Sequence, residues 1–427
     1  MRRPGATVLI AAAILLLGGG LPPAAASKAP AGKAPAGKAP ASKAPAEGDG
    51  FLYGTVHTEG GRHYTGVLRW GDEEAFRDDL FNGAKDDLPY IDRLPEERRQ
   101  RREIRVLGIQ ISYDWSEDAT GRQFIARFGD LREIRPRGGD KVDVVMKNGT
   151  TYRLDDGSND IGATVVVQDA DVGVVEVAWK KIDRIVFAPA PAGLVHDVRR
   201  LQGDVTTEDG VFRGFIQWDS HECLSTDRLD GKSEDGKLSL EMGRIRSIEK
   251  QGRNESAVTL ADGRTFDLRG SNDVDSTIRG ILVEDERYGR VRISWDAFER
   301  ADFRDATATG RGDAAYAPAT PLRGTVTDRE GRKWPGRLVF DLDESESFEM
   351  LNGDRDGVEY NIPFAMVKSV EPLDDDACSV TLRSGVALHL DESQDVTESN
   401  AGVLVLHDAD GPERYLPWDE VRRIDFE

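Results

Sequence analysis

One ordered pattern of glycines, an aromatic and acids occurs three times along this chain, so the fold must be built from a repeating unit. The copies open at Tyr53-Gly54-Thr55-Val56, Gln202-Gly203-Asp204-Val205 and Arg323-Gly324-Thr325-Val326. A second glycine follows seven residues after the first (Gly61, Gly210, Gly331), and a third soon after (Gly66, Gly214, Gly336). Four residues further on stands an aromatic: Trp70, Trp218 or Phe340. Acids come next (Asp72, Glu73, Glu74; Asp219, Glu222; Asp341, Asp343, Glu344), and then a turn ending at Gly83, Gly231 or Gly353.

The second part of each copy agrees as closely. Gly149, Gly263 and Gly385 each lie 15 residues after Ile134, Ile248 and Val370. Polar turns follow at Ser158-Asn159-Asp160, Ser271-Asn272-Asp273 and Ser393-Gln394-Asp395. The copies close on Trp179, Ile182, Ile185, Phe187; Trp295, Phe298, Ala301, Phe303; and Trp418, Val421, Ile424, Phe426. The same 0, +3, +6 apolar spacing recurs mid-copy at Phe128, Leu131, Ile134; Met242, Ile245, Ile248; and Phe364, Val367, Val370, which predicts three pairs of half-units. Period-two alternation in 256–260 and 289–295, with glycine turns at Asn148-Gly149 and Asp262-Gly263, predicts short antiparallel strands. The 0, +3, +6 closure predicts a strand end, one 3₁₀ turn and a last strand.

A half-unit of about 50 residues with four or five strands resembles a small SH3-like or Sm-like barrel, a likeness of fold that carries no activity with it. The expectation is an all-β chain of three tandem modules, each a pair of SH3-like barrel half-units; the alternative is a six-bladed β-propeller. The expected modules are 51–187, with an insertion at 84–121, then 201–303 and 322–427. Residues 188–200 and 304–321 read as linkers, which argues against a closed propeller.

The first fifty residues read differently. Arg2 and Arg3 precede the apolar run 8–17, and Ala24-Ala25-Ala26 supplies a small-residue cleavage site, so 1–26 reads as a signal peptide. Residues 27–50 repeat Lys-Ala-Pro-Ala around Lys28, Lys33, Lys38 and Lys43, which predicts a disordered tether. The chain has 57 basic and 78 acidic residues, a net charge of −21; residues 1–50 hold six basic and two acidic, so the remainder carries 51 against 76, or −25. A body this acidic repels nucleic acid and attracts cations and basic partners. The two cysteines, Cys223 and Cys378, stand in different copies and read as free thiols.

No catalytic constellation emerges. The six histidines show no metal-ligand spacing, and adjacent His221, Glu222 and Cys223 have no counterpart in the other copies. The candidate ligand-binding residues are Trp70, Asp72, Glu74, Trp218, Asp219, Glu222, Phe340, Asp341 and Glu344: a ring beside carboxylates suits a cationic peptide or Ca2+. The competing reading makes the rings core and the acids a solvated loop. The polar turns read as self-capping Asx turns. The sequence therefore predicts an exported, periplasmic or extracellular, non-enzymatic binding or scaffold protein. Its partners would be envelope or extracellular proteins, basic peptides or glycans, with no nucleic acid. The alternative is an envelope hydrolase using Asp114, Glu117 and Asp118 around Trp115 in the insertion.

Overall fold

The computed structural model describes residues 49–86, 89–90, 122–155, 158–192, 194, 198–306, 308–407 and 413–427, with the backbone alone of 103–106 and 109–112. The signal-peptide expectation, nearly all of the tether and the Asp114, Trp115, Glu117, Asp118 group lie outside these residues. Among the described residues there is no α-helix: the chain is all-β, with short 3₁₀ turns and antiparallel pairing throughout. Among the described residues no helix is long and apolar enough to cross a membrane.

Each copy has the same ten strands. In copy 1 these are β1 (Tyr53–Thr58), β2 (His63–Trp70), β3 (Leu80–Lys85), β6 (Gln123–Arg127), β7 (Leu131–Pro136), β8 (Lys141–Met146), β9 (Thr151–Asp155), β10 (Val165–Asp169), β11 (Gly173–Val177) and β12 (Ile182–Phe187). A hairpin, β4 (Glu103–Val106) and β5 (Ile109–Ser112), is inserted between β3 and β6. Copies 2 and 3 run from β13 (Leu201–Thr207) to β22 (Phe298–Asp305) and from β23 (Arg323–Asp328) to β32 (Val421–Phe426).

The half-units do not fold separately as their sequences suggest. β1 pairs with β2 but also with β12, and β2 pairs with β10, so the first two strands of a copy join its last three. The intervening strands form the other run, β7-β8-β9-β3-β6, and the two runs meet where β12 pairs with β7. Copies 2 and 3 repeat the exchange through β13–β22, β14 (Gly210–Gln217) with β20 (Ile281–Asp285), and β24 (Lys333–Phe340) with β30 (Val403–Leu406). Glycine makes the crossing possible. A Cβ on Gly66 would lie 1.9 Å from the carbonyl oxygen of Gln168, and one on Gly214 1.8 Å from that of Glu284. Only a residue without a side chain lets the backbones approach so closely.

The 0, +3, +6 runs place their first residue in a short turn and the next two inward along a strand. Phe128, Trp179, Met242, Phe364 and Trp418 each open a 3₁₀ turn, and all are buried. The aromatic that closes β2 joins the two runs of its copy, since Trp70 packs on Phe128 and edge-on to Trp179 with centroids 5.3 and 5.9 Å apart. Phe340 holds the same place between Phe364 and Trp418 at 5.2 and 5.8 Å.

Residues Pro45–Glu427 form one compact unit. β21 (Gly289–Ile293) pairs with β26 (Val358–Pro363), which makes copies 2 and 3 share a sheet and a continuous core. The 304–321 segment is packed rather than a free linker. Tyr316 is buried against Gly129 and its hydroxyl donates to Asp78, while Asp313 accepts from Arg77 and Lys147. An Ala, Gly and Thr-rich composition hides this, because the contacts rest on single side chains such as Tyr316 and Asp313.

Candidate functional site

The acids singled out by the repeat stand on one tight loop in each copy. The aromatic and the glutamate four residues later close that loop by exchanging backbone hydrogen bonds, 2.8 and 2.9 Å between Trp218 and Glu222 and 2.8 and 3.0 Å between Phe340 and Glu344. Residues inside the loop adopt left-handed backbone: Gly71 at φ 58°, Asp219 and Ser220 at 51° and 57°, Asp341 and Leu342 at 46° and 66°. Loop closure fixes the alignment, so Gly71 is the counterpart of Asp219 and Asp341. Asp72, expected to match those acids, instead corresponds to Ser220 and Leu342, and it is exposed.

Trp70, Trp218 and Phe340 are fully buried, so no ring face is presented to a ligand. The Trp70 and Trp218 Nε1 groups donate to the carbonyls of Asp160 and Asp273 at 2.9 and 2.8 Å. The acids, in contrast, come together with the polar turns. Oδ2 of Asp160, Asp273 and Asp395 accepts the backbone N–H of Asn82, Asp230 and Asn352 at 2.7, 2.5 and 2.7 Å. These turns therefore brace the third strand of the copy as well as capping themselves, as Ser158 Oγ does by accepting from Asp160 N.

Two carboxylate triads result, Asp219 with Glu222 and Asp273, and Asp341 with Glu344 and Asp395, whose oxygens lie within 4.8 Å of one another. Copy 1 keeps only Glu74 and Asp160, with Gly71 in the third place. Burial is the main cause of weakened acidity in all three. It lifts Glu222 to about 8, Asp160 and Asp395 to about 7 and Asp273 to about 6, with the neighbouring carboxylates adding to the shift. Glu74 and Glu344 are pushed well above the usual range, again by burial first.

Sequence reasoning missed a further acid on the same loop, nine residues after the aromatic: Asp79, Asp227 and Glu349. Each caps the loop, accepting from Ala75 and Phe76, from Cys223 and Leu224, or from Ser345 and Glu346 backbone N–H groups. Each also receives a cation from another copy. Arg290 and Arg200 reach Asp79 at 2.8 and 3.4 Å, Arg69 reaches Asp227 at 2.8 Å, and Lys85 reaches Glu349 at 2.8 Å. The constant +9 spacing was the available signal. His221 and Cys223 belong to the same joint: His221 Nε2 lies 2.5 Å from Glu73 Oε1, and the Cys223 thiol donates to Glu73 O. Cys223 and Cys378 are both buried and free.

A cleft of about 460 Å³ opens beside the third loop, between copies 1 and 3. Seven acids line it: Asp343, Glu344, Glu349 and Asp395 on the buried side, and Asp354, Glu359 and Glu392 nearer its mouth. Lys85 and Arg122 are its only basic side chains among the described residues. Asp354 is shifted up by burial and then by Glu392, Asp391 and Glu359.

No family model and no curated protein matches the chain. A solved structure described as "Streptogramin B lyase structure" is 9% identical over 70% of this chain and 94% of that one, with a TM-score of 0.12, too low to support an argument.

Proposed function

We propose that this is an exported, non-enzymatic binding and scaffold protein whose cleft between copies 1 and 3 takes a basic peptide segment. The reading rests on one observation: seven carboxylates face two cations across a single groove. An imbalance of that size attracts positive ligands over nanometre distances and discriminates against anionic ones. The ordered pairing within each copy also supports SH3-like barrels over propeller blades, because β2–β10 and β3–β9 cross between the sequence half-units. On this reading the repeated aromatic-acid loops serve assembly, and recognition belongs to the cleft beside the third loop.

The test is titration of a labelled deca-lysine peptide into the full mature chain at low salt. Replacing the rim acids together, as D354K with E392K, should weaken binding about tenfold or more. A melting temperature within a degree or two of wild type would show that the variant is folded. Unchanged affinity in a folded variant would refute the assignment of the cleft.

A further inference from the structure

Buried carboxylates need donors, and the third loop does not supply enough of them. Asp341, Asp343, Glu344, Glu349 and Asp395 are all more than nine-tenths buried, and only two cations, Lys85 and Arg122, are set among these five carboxyl groups. The three protons of Lys85 are committed to Asp343 O, Asp343 Oδ2 and Glu349 Oε1. Glu344 Oε1 is left 4.0 Å from that ammonium, and Glu344 Oε2 is buried with no hydrogen-bond partner. Arg122 is engaged by Asp341 and, at 3.4 Å, by Asp343.

We propose that Asp341, Glu344 and Asp395 hold a hard divalent cation, with calcium as the probe, on the buried side of the cleft. Their oxygens lie within 4.8 Å of one another, which two Ca–O bonds of roughly 2.4 Å span. The donor set is oxygen only, as calcium prefers over zinc or copper. Asp341 Oδ2 already accepts from Arg122 and Gln394, but Asp341 Oδ1 accepts the Ala401 N–H and Asp395 Oδ2 the Asn352 N–H, which leaves a second lone pair on each of those two oxygens for a metal. The other copies show what removes the site. Copy 1 has Gly71 where the third ligand would stand; in copy 2 Arg279 grips Asp219 through both Nε and Nη2, at 3.2 and 2.5 Å, where Arg122 reaches Asp341 through Nη1 alone. Glu222 Oε2 is likewise buried without a hydrogen-bond partner, but the residue as a whole is only partly buried. The site goes beyond the peptide reading and fails separately from it, because deca-lysine reads the rim and calcium reads the floor.

The experiment uses the full mature chain, stripped with chelator and returned to buffer. Calcium titration by calorimetry should give one saturable site, and millimolar calcium should raise the melting temperature by about 2 °C or more. E344Q should abolish both the heat and the shift. It replaces a buried carboxyl whose Oε2 has no partner while keeping the side-chain shape, so the metal-free variant should melt no lower than wild type. E222Q should keep the full response. Absence of heat and shift in the wild type, their survival in E344Q, or their loss in E222Q would each overturn the proposal.

Discussion

At the residue scale, the three copies differ in what each shared position is for. Gly66, Gly214 and Gly336 are fixed by a backbone crossing, whereas Gly149, Gly263 and Gly385 supply positive φ, 93°, 90° and 90°, in open hairpin turns with nothing within 4 Å. G214A should therefore cost about 3 kcal/mol or more, because the new Cβ meets a strand backbone, and G263A about 1 kcal/mol, the cost of left-handed backbone for an L-residue. Urea unfolding of the two variants measures the difference. The glycine spacing was readable from the sequence, but its reason was not, since only the paired strand shows which glycine is crowded. The aromatics are a similar case: their positions were plain, while their burial depends on Phe128, Trp179 and their equivalents converging from far along the chain.

At the element scale, strand existence followed from alternation and turns, but strand partners did not. Local pattern says that β1 is half-buried; it does not say that β1 lies beside β12, some 125 residues away. The acidic loop and the polar turn are brought together by the same exchange, which explains why two motifs that looked independent form one carboxyl group cluster. In copy 1 that cluster is Asp160 with Glu74, facing Glu73, Arg290 and the Asn82 amide. Asp130, half-buried, is a second such acid, at about 6, raised by desolvation and opposed by Arg127, Arg311 and Lys147, with Asp78 adding to the rise. Both acids bind a proton more tightly folded than unfolded, so their stabilisation is complete below about pH 4 and is lost as pH rises through about 6 to 7. The melting temperature should fall by about 2–5 °C between pH 5 and pH 8. D160N, which no longer titrates, should flatten that slope; an unchanged slope would show that Asp160 is not its source.

At the scale of the whole molecule, Asp219 and Asp341 among the acids that looked like ligand sites in the sequence are engaged by Arg279 and Arg122, and Asp79, Asp227 and Glu349 on the same loops take cations from other copies. Asp78 illustrates the joint. Burial alone would raise its pKa, yet Arg200 and Arg311 hold it well below the usual carboxylate range. Arg200 is buried between Phe76 and Phe215, 4.2 and 4.0 Å from their centroids, and bonds Asp78, Asp79 and the Thr309 carbonyl. R200A should destabilise the fold by roughly 3 kcal/mol, since it leaves two buried carboxylates short of a partner. Composition suggested separate modules joined by linkers; it could not show that cations from one copy complete the loops of another, because charge pairing leaves no periodic trace. The central claim is that these loops weld the three copies into one body. Scanning calorimetry of the full mature chain tests it most directly. A single endotherm whose calorimetric and van't Hoff enthalpies agree is the predicted result, and R200A should move that endotherm as a whole. Three separable endotherms, with R200A shifting only one of them, would contradict the account.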